Sequence, residues 1–125
     1  MKRKSFFLFM IICVTILVIS CSNRPSDGVI KSAITKNLEN KFPIRWSNNW
    51  SGGRNAKVEE IEIKQIGKYN KQHQYWPVKV RVKGTYKGEA DLSFRLITRS
   101  FNNVGDFNIF KDDYGNWKAS ISTMQ

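Results

Sequence analysis

The chain has 125 residues, enough for one ordinary domain with a single core but too few for two. Aromatic residues make up 13% of it, which excludes a disordered segment, because so much bulky apolar material requires a packed core. The formal net charge of +11 indicates affinity for anionic partners, namely lipid headgroups, nucleic acid or acidic envelope polymers, without selecting among them.

The first residues of the chain have the layout of an export signal. Three basic residues open the segment, and an apolar run from Phe6 to Ile19 follows, interrupted only by Thr15. As a helix this run spans about 21 Å, which is short of the roughly 30 Å of a hydrocarbon core. The pattern therefore predicts a cleavable signal peptide over residues 1–20 rather than a permanent membrane span.

The end of this segment, Val18-Ile19-Ser20-Cys21, resembles the lipobox of bacterial lipoproteins. In that family a diacylglyceryl group is attached to the cysteine thiol and the signal is cut just before it, and two or three acyl chains give durable anchoring. The resemblance implies lipidation at Cys21, a lipidated tether over residues 21–28 and a domain over residues 29–125. That domain would lie on the extracytoplasmic side of the cell membrane or outer membrane. An uncleaved signal anchor and a plain secretory signal are the alternatives.

Loss of the signal also changes the cysteine count and the charge. Cys13 leaves with the signal, so the mature domain has no cysteine pair to form a disulfide. Loss of the three basic residues near the N-terminus leaves 18 basic against 10 acidic residues, a net charge of +8.

The mature chain begins with a helical pattern and continues with strands. A helix is predicted from about Val29 to Lys41, capped by Ser26 or Asp27 and stopped by Pro43. Its apolar face comprises Ile30, Ala33, Ile34, Leu38 and Phe42. This face fits packing on a sheet, although a membrane-surface helix has the same pattern.

Alternating apolar and polar residues predict four or five antiparallel strands after residue 55. The alternation covers residues 60–64, 78–87 and 90–97, and further strands are predicted around residues 107–109 and 117–121. Gly88 is predicted to mark a tight connection, residues 102–105 a turn, and residues 112–116 a hairpin connection. The predicted fold is α+β, with one N-terminal helix packed on a curved four- to five-stranded antiparallel sheet.

Two segments of this layout resemble small cystatin-like and NTF2-like domains. The segments are the strand from Trp76 to Val82 and the ending from Phe110 to Lys118, in which a charged turn with glycine precedes Trp-Lys. The resemblance covers residues 28–122 and implies a curved sheet wrapped on a helix. Because little helix precedes the first strand, the shorter cystatin-like version fits better than an NTF2-like cone with a deep pocket.

No constellation of catalytic or metal-ligating residues is evident. His73 lies alone in a polar turn, and the adjacent Asp112 and Asp113 are interpreted as turn formers. Glu60 and Glu62 share a strand face, and we expect them to pair with basic residues of the next strand. The sequence therefore predicts neither an enzyme nor a cofactor or metal site.

A basic strand face is the main candidate for binding. Basic residues align on one side of the predicted second strand, and two more follow on the next strand: Lys79, Arg81, Lys83, Lys87, Arg95 and Arg99. Such a face suits anionic lipid or an acidic protein, whereas a solvated face neutralised by nearby acids is the plainer alternative. Nucleic acid is not expected, since the aromatic residues take the opposite phase and the chain is predicted to be exported.

Trp46 and Trp50 lie in a loop rich in Asn, Ser and Gly, either as interface anchors or as lids over the core. Two functions follow from these features. The first is a non-catalytic, protein-binding or accessory domain of an envelope lipoprotein. The alternative is a small-ligand binder, or an enzyme, with a pocket between helix and sheet.

Overall fold

The fold of the protein is given by a computed structural model that describes residues 24–47, 53–90 and 95–124. Helix α1 spans Asp27–Asn40, and a single 3₁₀ turn follows at Ile44–Trp46. Four strands complete the described chain: β1 (Arg54–Ile66), β2 (Trp76–Ala90), β3 (Arg95–Lys111) and β4 (Trp117–Met124). The predicted signal peptide, Cys21 and Trp50 lie outside the described residues. No helix in the described ranges is long and apolar enough to cross a membrane.

Helix α1 begins and ends close to where the sequence predicts. The Ser26 hydroxyl accepts a hydrogen bond from the Val29 N–H at 3.3 Å, which caps the first turn. At the other end the Lys41 N–H still donates to the Asn37 carbonyl before Pro43 stops the helix. The predicted apolar face is buried: Ile30, Ala33, Ile34, Leu38 and Phe42. The helix begins two residues before the predicted Val29, so it includes residues 27 and 28, which the sequence assigned to the tether.

The sheet is an antiparallel meander in which every strand pairs with its neighbours in sequence, in the order β1-β2-β3-β4. Strands β2 and β3 form a long hairpin whose pairing runs without a shift from Trp76 opposite Ile109 to Ala90 opposite Arg95. The two edge strands pair with only parts of this hairpin. Strand β1 pairs with residues 78–87 of β2, and β4 pairs with residues 105–111 of β3.

Two predicted connections are strand in the structure, so the described residues form a sheet of four strands. Residues 102–105, predicted as a turn, lie inside β3 and pair continuously with β2, since Gly105 stands opposite Val80 and Asn103 opposite Val82. Gly88, predicted as a tight connection, lies within β2 opposite Ile97. The hydrogen bonds of a long hairpin thus override the local turn preference of residues 102–105.

The sheet is curved around the helix. Helix α1 packs most closely on the two edge strands, β1 and β4, and the Asn37 side-chain amide donates to the Ala119 carbonyl at 2.9 Å. Three irregularities of pairing in β1 accompany this curvature. The space between helix and sheet is filled by apolar residues that are essentially inaccessible: Ile30, Ile34, Leu38, Val78, Val80, Val82, Phe107 and Ile109.

An aromatic cluster extends this core beyond the end of α1. Phe42 stacks on Tyr86 with ring centroids 4.9 Å apart and meets Phe101 edge-on at the same distance. Trp46 approaches Phe42 and Phe107 edge-on at 6.1 and 6.3 Å. These contacts place the 3₁₀ turn against the sheet and give an α+β fold of one helix on a curved four-stranded sheet.

Candidate partner-binding surface

The sheet presents one face to α1 and the other to the outside, and alternation along the strands assigns each residue to a face. Val78, Val80 and Val82 point to the inner face, so the residues between them point outward. No described element packs on this outer face. The outer face is therefore a larger open surface than the inner face, on which α1 packs.

The predicted basic residues divide between the two faces. Four of them lie on the outer face of β2: Lys79, Arg81, Lys83 and Lys87. Arg95 and Arg99 do not join them, because they stand opposite Ala90 and Tyr86, which have the phase of the inner face. The prediction placed Leu96 on the buried side of β3, whereas Leu96 is 45% exposed and Phe101 is buried, so the phase was wrong by one residue.

Acidic and amide groups of the neighbouring strands contact the middle of this basic row. Glu60 stands opposite Lys83, with their charged atoms 3.9 Å apart, as expected for a cross-strand pair. Arg81 stands opposite Glu62 but donates instead to the Asn102 side chain at 3.2 Å.

Glu62 interacts chiefly with its own strand. A hydrogen bond from the Lys64 ammonium group at 2.9 Å, together with the charge of that group, lowers the pKa of Glu62. The charges of Arg81 and Lys83 lower this pKa further. The middle of the outer face is thus a mixed, largely neutralised surface.

The end of the outer face nearest the β2–β3 connection differs from the middle, because three basic residues with described side chains lie together there. Arg54, at the start of β1, stands directly opposite Lys87 of β2, and both side chains are exposed. Lys57 follows, opposite Thr85 on the same face. No described carboxylate forms an ion pair with these three residues. We call Arg54, Lys57 and Lys87 the basic patch.

A bulge in β1 shapes the basic patch. Between Arg54 and Lys57 the pairing with β2 gains one residue, and Asn55 takes up the extra length with a φ of 51°. Asparagine is one of the few residues that adopts this left-handed conformation at low cost. The bulge allows both Arg54 and Lys57 to stand opposite outward-facing residues of β2.

An open groove of about 430 Å³ runs beside the basic patch. Its lining combines two lysines and two threonines with residues of the bulge and of α1: Glu39, Asn55, Ala56, Lys57, Thr85, Tyr86, Lys87 and Thr98. Ammonium groups and hydroxyls together are hydrogen-bond donors suited to carboxylate or phosphate oxygens. Glu39 occupies the helix side of the groove and leaves the sheet side positively charged.

Trp46 is a core residue. Only 4% of its surface is exposed, and it contacts the rings of Phe42, Phe101 and Phe107. Of the two predicted roles, lid over the core or interface anchor, the structure places Trp46 in the first. The absence of a side chain at Gly105 leaves room for the Trp46 ring, since a Cβ there would lie 2.8 Å from the indole.

His73 lies in the exposed turn between β1 and β2. Its backbone N–H donates to the Asn70 side chain at 3.0 Å, and its ring stacks near Tyr75. The turn borders a second open groove, of about 310 Å³. Within residues 24–47, 53–90 and 95–124, no three His, Cys, Asp or Glu side chains group as a metal site.

Sequence reasoning missed Arg54 and Lys57, which lie at the end of, and just after, the predicted loop that contains Trp46 and Trp50. Their pairing with Lys87 and Thr85 depends on the bulge, and local alternation does not reveal a bulge of this kind. Comparison of the chain with models of protein families, with curated proteins and with solved structures gives no match.

Proposed function

We propose that this protein is a lipid-anchored lipoprotein of the cell envelope whose domain is non-catalytic and docks an acidic partner protein through the basic patch. One observation carries the second part of this proposal. Arg54 and Lys87, two like charges, face each other directly across the β1–β2 pair, and Lys57 lies beside them.

Such an arrangement costs stability. Like charges directly opposite each other in a sheet are destabilising. Elsewhere on the same face a cross-strand opposite-charge pair is present, as between Glu60 and Lys83. An anionic partner that brings carboxylates to the basic patch removes the repulsion, which is the reason to interpret the patch as a binding surface.

The packing favours a protein partner over a small ligand held between helix and sheet. The residues that line this interface are apolar and almost completely buried. The polar donors converge instead on the open groove beside the basic patch, where a partner's surface residues have access. The rings of the aromatic cluster are buried in the core, including Tyr86 at the border of the groove, so the described part of the patch lacks the exposed stacking platform that single-stranded nucleic acid requires.

The anchor rests on the lipobox-like end of the export signal and has its own test. The Cys21→Ser variant lacks the thiol to which lipid would be attached. We expect no incorporation of labelled fatty acid and accumulation of the unprocessed precursor. Electrophoresis of pulse-labelled cells measures the processing. Normal processing of the variant would contradict lipidation at Cys21.

We also propose that the fold is a short cystatin-like variant. The order of one helix followed by an antiparallel meander supports this, as does the β3–β4 turn that leads into Trp117. An experimental structure in which the sheet wraps the helix with a different strand order would contradict it.

The partner-binding proposal is tested by charge reversal at matched positions. Lys87→Glu places an acid in the basic patch, whereas Lys118→Glu makes the same change of charge on the outer face of β4, opposite Phe110 and outside the patch. Both side chains are exposed, so both variants should fold.

We expect cross-linking of intact membranes, followed by affinity purification of the tagged protein, to recover a stoichiometric protein with the wild type and Lys118→Glu. Lys87→Glu should lose most of that protein. Equal recovery with the two variants, or repeated recovery of no partner with the wild type, would exclude the basic patch as its docking surface.

A further inference from the structure

Strand β3 has a long edge that no described strand pairs with. On one side β3 pairs with β2 along residues 95–109, but on the other side β4 pairs only with residues 105–111. Residues 95–104 therefore present a row of backbone N–H and C=O groups on the side away from β2. We call this stretch the free edge of β3.

The free edge lacks several of the features by which proteins usually block unwanted strand pairing. The opposite edge of the sheet, β1, is interrupted by three register shifts and carries charged residues, among them Glu59 and Lys64 at its irregular positions. The free edge has continuous pairing with β2 and contains no proline, glycine or lysine, and its charged residues are Arg95 and Arg99, in the phase of the inner face. Its Leu96, on the outer face, is 45% exposed. A long, regularly paired edge with an exposed apolar residue is a template for another strand.

We propose that the free edge binds the free edge of a second copy of this chain, antiparallel, so that two sheets join into one. Residues opposite each other in an antiparallel pair point to the same face, so only registers that match inner with inner and outer with outer residues continue the sheet. Two such registers use almost the whole free edge. One is centred on Arg99 and the other on Ser100.

The side chains distinguish between these registers. Centring on Arg99 puts the two Arg99 side chains opposite each other, which is unfavourable. Centring on Ser100 puts the apolar Leu96 opposite Val104 twice, Thr98 opposite Asn102 twice, and Ser100 opposite itself. On the inner face the same register puts Arg99 opposite Phe101, so the two Arg99 side chains do not stand opposite each other. The sequence of the free edge is thus complementary to itself in one register.

The pairing has a geometric consequence for the surface described above. A two-fold axis through Ser100 runs perpendicular to the joined sheet, so both outer faces lie on the same side. The two basic patches would then face the same way. The pairing itself rests on the edge alone and does not depend on the proposed function.

Cysteine cross-linking in membranes tests the register. The full chain carrying Ser100→Cys should form a disulfide-linked dimer on mild oxidation, because the two introduced thiols are directly opposite. Asn102→Cys is the matched control: it lies on the same face and edge, but in this register it stands opposite Thr98. Alone it should give no more dimer than the chain with its native cysteines, and co-expressed with Thr98→Cys it should form the linked dimer.

A second pair of variants tests the association without a cross-link. Ser100→Lys places two lysines opposite each other, whereas Ser100→Thr keeps a small hydroxyl residue there. Sedimentation of the full chain in detergent should show a dimer for the wild type and Ser100→Thr, and association weakened roughly fivefold or more for Ser100→Lys. Circular dichroism establishes that each variant is folded.

Three results would overturn the proposal. These are equal dimer yields from Ser100→Cys and Asn102→Cys, a monomeric wild-type chain at all concentrations tested, or a cross-linked product whose mass includes a different protein. The last result would assign the free edge to a strand from a partner.

Discussion

Asp112 organises the turn between β3 and β4 through its side chain. Its Oδ1 accepts hydrogen bonds from the backbone N–H groups of Tyr114 and Asn116, at 2.9 and 2.8 Å. Gly115 supplies the positive φ, 79°, that completes the turn. The hydrogen bond from the Asn116 backbone lowers the pKa of Asp112 most, and the Tyr114 N–H and the charge of Lys118 lower it further. The role of turn former predicted for Asp112 is therefore confirmed.

These bonds make part of the stability dependent on pH. Because the pKa of Asp112 is lower in the folded chain than its ordinary value of 3.8, the carboxylate stabilises the fold above that value. The contribution is lost as the pH falls through the folded-state pKa. We expect Asp112→Asn to lower the Tm at about pH 7 and to leave it unchanged at about pH 2, measured by circular dichroism. Asp113→Asn removes the same charge next to it and should have little effect at either pH; a pH-independent effect of Asp112→Asn would contradict the linkage.

Residue-scale predictions from the sequence succeeded where the interaction is local and failed where it is not. The Ser26 cap and the Asp112 turn each involve groups within four positions in the chain, so the sequence contains the whole interaction. The sheet face on which Arg99 lies depends on which residue of β2 it stands opposite. The register of β3 with β2 begins at residue 95, after residues 91–94, which lie outside the described residues. The pairing of Arg54 with Lys87 likewise depends on a bulge, which local alternation does not reveal.

Among the secondary-structure elements, β2 is shaped around Gly84. A Cβ at this position would contact the Lys57 carbonyl oxygen and would lie 2.9 Å from the Phe101 ring. The absence of a side chain thus lets Phe101 cover β2 and complete the aromatic cluster with Phe42.

Gly84→Ala should therefore destabilise the fold by about 1–3 kcal/mol, since the backbone of β1 must move to make room. Gly28→Ala is the control, because nothing lies within 4 Å of a Cβ there, and alanine at this helical position should maintain or raise stability. Urea unfolding measures both. Similar free energies of unfolding for Gly84→Ala and the wild type would show that β1 adapts at no cost.

A side-chain hydrogen bond from Asn37 to the Ala119 carbonyl joins helix α1 to β4. Asn37→Ala leaves that partly buried carbonyl without its donor, and we expect a loss of about 1 kcal/mol in the free energy of unfolding. Asn40→Ala, an exposed position at the end of the same helix, should change it by less than about 0.5 kcal/mol. Equal effects in thermal or urea unfolding would mean that the bond contributes nothing.

At this scale the helix was predictable and the strand boundaries were not. Spacings of three and four among apolar residues identified α1, and the same residues are buried in the structure. In β3 the Asn102-Asn103-Val104-Gly105 segment has the composition of a turn, yet pairing with β2 along the whole hairpin keeps it extended. Long-range pairing of this kind outweighs local propensity and is not visible in a single segment.

For the whole molecule, the basic patch lowers the stability of the fold while it provides the proposed binding surface. Replacing Lys87→Glu converts the like-charge pair with Arg54 into an opposite-charge pair, so the domain should become more stable by up to about 1 kcal/mol while its acidic partner is lost. The gain should shrink at high salt, because both side chains are exposed. Urea unfolding at low and high ionic strength, beside the cross-linking experiment, measures both effects. A variant that is less stable than the wild type at low salt would contradict the repulsion inferred at this pair.

The order of the strands has a consequence for how the chain acquires its structure. Each strand pairs with its neighbours in sequence, so the sheet can assemble hairpin by hairpin as the chain becomes available from its N-terminus. Helix α1, the first element of the described chain, packs on β4, the last, and the bond that joins them spans 82 positions. The earliest helix must therefore wait for the final strand before its apolar face is fully covered, and a chain that stops before β4 leaves that face exposed to aggregation.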